Sequence, residues 1–187
     1  MRDDTNQVIH QFKVTVFGNK KLIEQAEEFV EPEEKVRFLS PTNATIVSPN
    51  LRKKEKVPGV IILTDSRIIF HNKVLRNNTT EIIPLDKVTT VNSNYNGLTG
   101  GKIDIFAETK SISFLVKYKL EVVEMVQITF LRAVDAYKKR QNTNQDEICI
   151  NRKENNLNDI RELKSLLDDG IITEEDFNKK KKEMLGV

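Results

Sequence analysis

V-I-I-L-T-D-S-R-I-I-F, the stretch Val60–Phe70, organises the reading of this chain. Two apolar runs, Val60–Leu63 and Ile68–Phe70, flank Thr64-Asp65-Ser66-Arg67. β-Branched residues dominate both runs, which suits a pleated and heavily buried surface. Asp65 and Ser66 readily bond their own backbone and favour a tight reversal. Each run is too short for a buried helix. The stretch predicts a β-hairpin at the centre of an antiparallel sheet.

Working outward, residues 35–57 read as strand, turn, strand. Val36, Phe38 and Thr45–Val47 are β-prone, while Pro41-Thr42-Asn43 and Pro49-Asn50 punctuate. Downstream, a turn at Arg76-Asn77-Asn78 leads into a strand over Thr80–Ile83, which Pro84 ends because it cannot donate a ladder bond. Leu85-Asp86-Lys87 reads as a corner before a strand over Val88–Asn94. Asn96-Gly97 and Gly100-Gly101 make a flexible hairpin loop. Ile103, Ile105 and Ala107 then share one face, as do Ile112, Phe114 and Val116 on the next strand. About seven short strands joined by hairpin-length turns argue a sandwich or small barrel.

The period changes after Leu120. Val123, Val126, Phe130, Val134 and Tyr137 recur at helical spacing, and no Gly or Pro interrupts the run to about Arg140. A long helix after such a sheet uses its apolar face to plug it. Met125 and Ile128 lie off that stripe, as incidental exposed apolars or as a subunit contact. Residues 141–156 are polar, Asn- and Gln-rich and aperiodic, the pattern of a linker. Residues 157–187 are patterned again: Ile160, Leu163 and Leu167 form a stripe, and Gly170 suits a helix C-terminus. Thr173 is a good N-cap with Asp176 three residues on. Glu174 and Glu175 at the start and Lys179–Lys182 towards the end complement a helix dipole. The tail is a helical hairpin too small to stand alone.

Residues 1–35 form an N-terminal extension. Phe12, Val14 and Val16 alternate like a half-exposed strand ending at Gly18-Asn19. Leu22, Ile23, Ala26, Phe29 and Val30 recur at helical spacing, giving a helix near 20–31 that Pro32 stops.

Composition excludes several classes. The 187 residues carry 30 Lys+Arg and 28 Asp+Glu, a net charge of +2, so no global electrostatic partner is implied. Residues 1–140 hold 22 basic and 17 acidic side chains, and residues 141–187 hold 8 and 11. That falls short of a basic nucleic-acid footprint. Cys149 is the single cysteine, so no internal disulfide forms. Residues 1–6 show no apolar signal-peptide region, and no apolar run approaches the roughly 20 residues of a membrane span. The expected location is cytoplasmic, or peripheral to a membrane.

Two families resemble these residues. Residues 36–140 resemble the bacterial pleckstrin-homology (PH) domain: G-V-I-I-L-T-D-S-R-I-I-F at 59–70 follows that family's L-T-(N/D)-x-R-(L/I)-x-F pattern, with I-I-P-L-D-K-V at 82–88, two further strands and a long helix. Residues 159–186, with the core G-I-I-T-E-E-D-F at 170–177, resemble the SHOCT short C-terminal domain. The resemblance implies an α+β protein: a PH-like seven-stranded antiparallel β-barrel or sandwich capped by one helix, plus a small C-terminal helical hairpin. It implies a non-enzymatic adaptor that forms oligomers or binds a protein partner.

The candidate sites follow. Catalysis has little support: His10 and His71 lie in unrelated segments, and no Cys, His and carboxylate grouping has metal-ligand spacing. Asn96–Lys102 superficially suggests a phosphate loop, but its first glycine is Asn96 and a strand follows. A calcium loop around Gly170 fails because Ser165 and Leu167 would hold its acidic positions. No enzyme activity, metal or cofactor is expected. Arg52, Lys53, Lys54 and Lys56 form a basic segment, either a solvated edge or a site for anionic lipid or phosphate. Ile160, Leu163, Leu167, Ile171, Ile172, Phe177 and Leu185, with Met125 and Ile128, are the candidate contacts for a protein partner or a second copy. Nucleic-acid binding through the basic tail is the remaining alternative, weakened by the absence of interleaved aromatics.

Overall fold

The computed structural model describes residues 1–47, 55–74, 77–98, 100–116, 119–169, 171 and 173–185. Helices α1 (Asp3–Phe12) and α2 (Lys20–Glu27) precede strands β1 (Val36–Val47), β2 (Glu55–Thr64), β3 (Arg67–Val74) and β4 (Asn77–Pro84). A 3₁₀ turn (Leu85–Lys87) leads to β5 (Val88–Asn96), β6 (Gly100–Ala107) and β7 (Ser111–Val116). Helices α3 (Leu120–Asp168) and α4 (Glu174–Leu185) follow. The chain divides into two compact units, Met1–Lys138 and Lys139–Val187.

The seven strands form one antiparallel sheet in the order β4-β3-β2-β1-β7-β6-β5. Laid flat, its outer strands would stand roughly 29 Å apart at about 4.8 Å per strand. The 3-residue turn Leu85–Lys87 joins β4 directly to β5, the two outermost strands. Three residues reach only about 10 Å, so the sheet must roll until its edges approach. Ile61, Ile68, Phe70, Ile83, Ile103, Ile105, Ile112 and Phe114 are buried in it, all at 1% exposure or less.

The Val60–Phe70 hairpin forms with Val60 opposite His71, Ile61 opposite Phe70, Ile62 opposite Ile69 and Leu63 opposite Ile68. It is not the centre of the sheet. That place belongs to β1, which runs unbroken through Pro41-Thr42-Asn43, read from sequence as a turn. Pro41 is tolerated because β1 pairs with β7 only from Ala44 to Val47, so its missing N–H breaks no bond on that side. Pro58 likewise lies inside β2, opposite Asn43.

The N-terminal extension differs from the strand expected over Phe12–Val16. Thr5, Val8 and Phe12 recur at helical spacing and are buried in α1, a pattern the local alternation obscured. Lys13 ends the helix in the left-handed region, at φ 51. Phe12 packs edge-on against Phe38 at 5.1 Å, while Phe130 of α3 lies 5.6 Å from Phe38 and 5.7 Å from Phe114. The extension is therefore part of the core.

In α3, Val123, Val126, Phe130 and Val134 are buried as their spacing requires. A side chain on Gly101 would collide with Val123, so that glycine makes room for the helix rather than loosening a loop. Gln127 Nε2 donates to the Val91 carbonyl at 3.2 Å and Lys138 Nζ to the Val88 carbonyl at 3.0 Å, covering acceptors of outer strand β5. Residues 141–156, expected to be an aperiodic linker, are helical as part of α3. No Gly or Pro occurs between residues 120 and 169 to break the helix, and Gln, Lys, Arg and Glu sustain it where the apolar stripe lapses.

Candidate functional site

The turn of the central signature is a polar clasp. The Thr64 hydroxyl accepts the N–H groups of Ser66 at 3.2 Å and Arg67 at 3.0 Å, which closes the reversal. Arg67 Nε lies 2.9 Å from Glu34 Oε1, and its Nη2 lies 3.0 Å from Glu31 Oε1. Ser66 Oγ also donates to the Glu34 carboxylate, and Asp65 Oδ1 accepts the Lys35 N–H at 3.2 Å. Burial opposes the guanidinium charge, but the hydrogen bonds and ion pairs with Glu31 and Glu34 outweigh it and hold the Arg67 pKa above its ordinary value. The clasp ties the hairpin to the segment entering β1. Its charges are engaged with one another, so its role is structural.

Asp4 anchors the same region from the other side. Its Oδ2 accepts the Val36 N–H at 2.8 Å, its Oδ1 accepts the Thr5 N–H at 2.9 Å, and Arg2 Nε lies 3.1 Å away. Burial raises the carboxyl's pKa, but these bonds and the Arg2 charge prevail and lower it below the ordinary 3.8.

A cleft of about 430 Å³ opens where β1 and β7 part. Thr15 and Asn19 of the α1–α2 loop, Leu22, Ser40–Asn43 of β1, Pro58 and Gly59 of β2, and Leu115 line it. Thr42 Oγ1 donates to the Leu115 carbonyl at 2.7 Å, a side-chain bond beside the last paired residue, Ala44. The lining offers three hydroxyls, two carboxamides and an apolar floor, with no titratable group. It suits an uncharged occupant and has no nucleophile activated by a base.

Beside the cleft, Val16-Phe17-Gly18-Asn19 forms a closed turn. The Asn19 N–H donates to the Val16 carbonyl at 2.9 Å, and Gly18 holds φ 77, a left-handed value that suits glycine. Phe17 is at the apex and 95% exposed. Neither cleft nor apex was singled out from sequence. The available signals, two prolines inside β-prone runs and a Phe before Gly-Asn, read locally as punctuation.

The sequence-selected residues fall as follows. Lys56 is exposed on β2, while Arg52, Lys53 and Lys54 lie outside the described residues. Met125 and Ile128 are 44% and 46% exposed on α3, and Leu131, three residues on and not chosen from sequence, is 40% exposed. In the second unit Leu163, Leu167 and Phe177 are half-buried, and Ile171 is 67% exposed beside Leu166 at 37%. Ile172 lies outside the described residues, as do the side chains of Ile160 and Leu185. The expected capping residues meet: Thr173 Oγ1 accepts the Asp176 N–H at 3.2 Å and donates to Asp176 Oδ2 at 2.6 Å. The Ile171 N–H donates to the Leu166 carbonyl at 2.9 Å, a bond that closes the end of α3. His71 is buried, with Nδ1 2.9 Å from the Thr80 hydroxyl. Among the described residues no group of three His, Cys, Asp or Glu could hold a metal ion, and no helix is long and apolar enough to cross a membrane.

Comparison with known proteins matches two family profiles: a bacterial PH domain over residues 30–129 and the short C-terminal domain SHOCT over residues 159–185. No curated protein sequence matches the chain. Similar solved structures include the Vps36 N-terminal PH domain, at 18% identity and a TM-score of 0.44 over 59% of this chain and 86% of that one. A DUF1696-family protein with a pleckstrin-homology domain from Shewanella loihica aligns at 10% identity and a TM-score of 0.42, covering 62% and 92% of the two chains.

Proposed function

The chain belongs to the bacterial PH-domain family, and from that premise we propose that it is a protein-docking module with no catalytic chemistry of its own, its SHOCT segment binding a second copy or another protein. Both matched families support a non-catalytic module. The observation that carries the docking reading is Ile171, 67% exposed at a turn whose flanking helix ends are both hydrogen-bonded. Ile171 is bonded through its N–H to the Leu166 carbonyl, and both side chains are exposed beside the capped start of α4. The matched segment, residues 159–185, is below the roughly 40 residues at which a chain buries enough apolar surface to hold itself. Contact with another surface covers what it leaves exposed. Met125, Ile128 and Leu131 give the body a second apolar strip for the same purpose.

Light scattering and pull-down on the full chain test this, comparing wild type with Leu166→Glu/Ile171→Glu. The expected result is a larger assembly, or a captured protein, that the double variant loses. Equal mass and equal capture for both chains would remove the tail from the mechanism.

A further inference from the structure

We propose that Phe17 and the adjacent cleft form a reciprocal contact between two copies of the N-terminal unit, independent of the SHOCT segment. Phe17 is 95% exposed, although an aromatic ring is among the side chains that gain most from burial. It is not displayed by a loose loop. The bond from the Asn19 N–H to the Val16 carbonyl, with Gly18 at φ 77, sets Phe17 at the apex of a closed turn.

The residues flanking this apex, Thr15 and Asn19, themselves line the cleft, so knob and socket share one rim. At about 430 Å³ the cleft is within the range of about 300–1,000 Å³ typical of ligand pockets and has room for one aromatic side chain. Leu22, Pro41, Pro58 and Leu115 supply the apolar wall a ring needs, and the lining has no charge that its entry would strand. A knob and a socket on distant faces would generate open chains of molecules. Adjacent on one patch, they are satisfied twice by a single two-fold axis, each Phe17 entering the other copy's cleft, and the assembly closes as a dimer. The neutral lining also makes the cleft a poor seat for phosphate or an anionic head group.

The test is sedimentation equilibrium on the full chain carrying Leu166→Glu/Ile171→Glu, which takes the tail out of the measurement. In that background we expect a monomer–dimer equilibrium. Phe17→Ser and the cleft-lip substitution Thr15→Trp each weaken it at least tenfold. Both positions are exposed, and matching circular dichroism melts verify folding. An equimolar mixture of the two variants associates more tightly than either alone, because one intact knob then meets one intact socket. Three results overturn the contact: a monomer at every concentration in the tail-blocked background, an unchanged Kd in Phe17→Ser, or a mixture no tighter than its components. The first result together with a wild-type assembly leaves the tail reading standing. Association that survives the tail substitutions and fails with Phe17→Ser upholds this contact, and self-association through the tail is removed only if the wild-type chain forms no larger assembly than the tail-blocked one.

Discussion

Arg67 shows how one residue of the hairpin signature acts on the fold. Its guanidinium spans Glu31 and Glu34, and Glu34 also receives the Ser66 hydroxyl. Removing it takes the cation from a carboxylate whose side chain is only 10% exposed, leaving that group the Ser66 hydroxyl and the Glu31 N–H. Arg67→Ala should cost about 1–3 kcal/mol in urea unfolding, most of it from leaving the buried Glu34 charge without a counter-charge. Arg67→Lys should recover only part, since an ammonium cannot bridge both acids in the same fork. Asp4 gives a pH signature. Its pKa is lowered on folding, so its contribution is present above the unfolded value of 3.8 and is lost as pH falls through the lower folded value. Asp4→Asn should therefore lower stability at pH 7 by about 1–2 kcal/mol, and its difference from wild type should vanish in melts taken well below pH 3.8.

At the scale of elements, α4 is the most dependent on a single residue. It is a 12-residue helix with acidic residues in its first turn, and its N-terminus is closed by the Thr173–Asp176 pair. Isolated helices of this length are marginal in water. Thr173→Ala should cost about 1 kcal/mol of helix stability, read as roughly fivefold faster amide exchange at Asp176 and Phe177. Helix α3 has the opposite character. Its first turns are fixed from outside, by Val123 over Gly101 and by Gln127 and Lys138 bonded to carbonyls of β5. Those side chains cover the sheet edge that would otherwise offer backbone acceptors to another chain.

Across the whole molecule, the rolled sheet and both N-terminal helices share one core, in which Phe12, Phe38, Phe114 and Phe130 meet. The second unit has its own turn and cap. The Leu166→Glu/Ile171→Glu substitutions that test docking should accordingly leave the cooperative unfolding of the body unchanged, measured by near-UV circular dichroism, because neither residue belongs to that core.

Sequence alone determined the hairpin over Val60–Phe70, the buried stripe of α3 and the Thr173 cap. Each rests on periodicity or on a bond spanning only a few residues, so it is written locally. Only the tertiary structure decided that β1 is the central strand, that its proline is harmless, and that residues 1–35 complete the core. It also placed the Phe17 turn beside a neutral cleft. These features depend on which strands part, on Pro41 facing a gap in the β1–β7 ladder, and on Phe12 reaching Phe38. Such pairings join residues distant in sequence, and no local pattern encodes them.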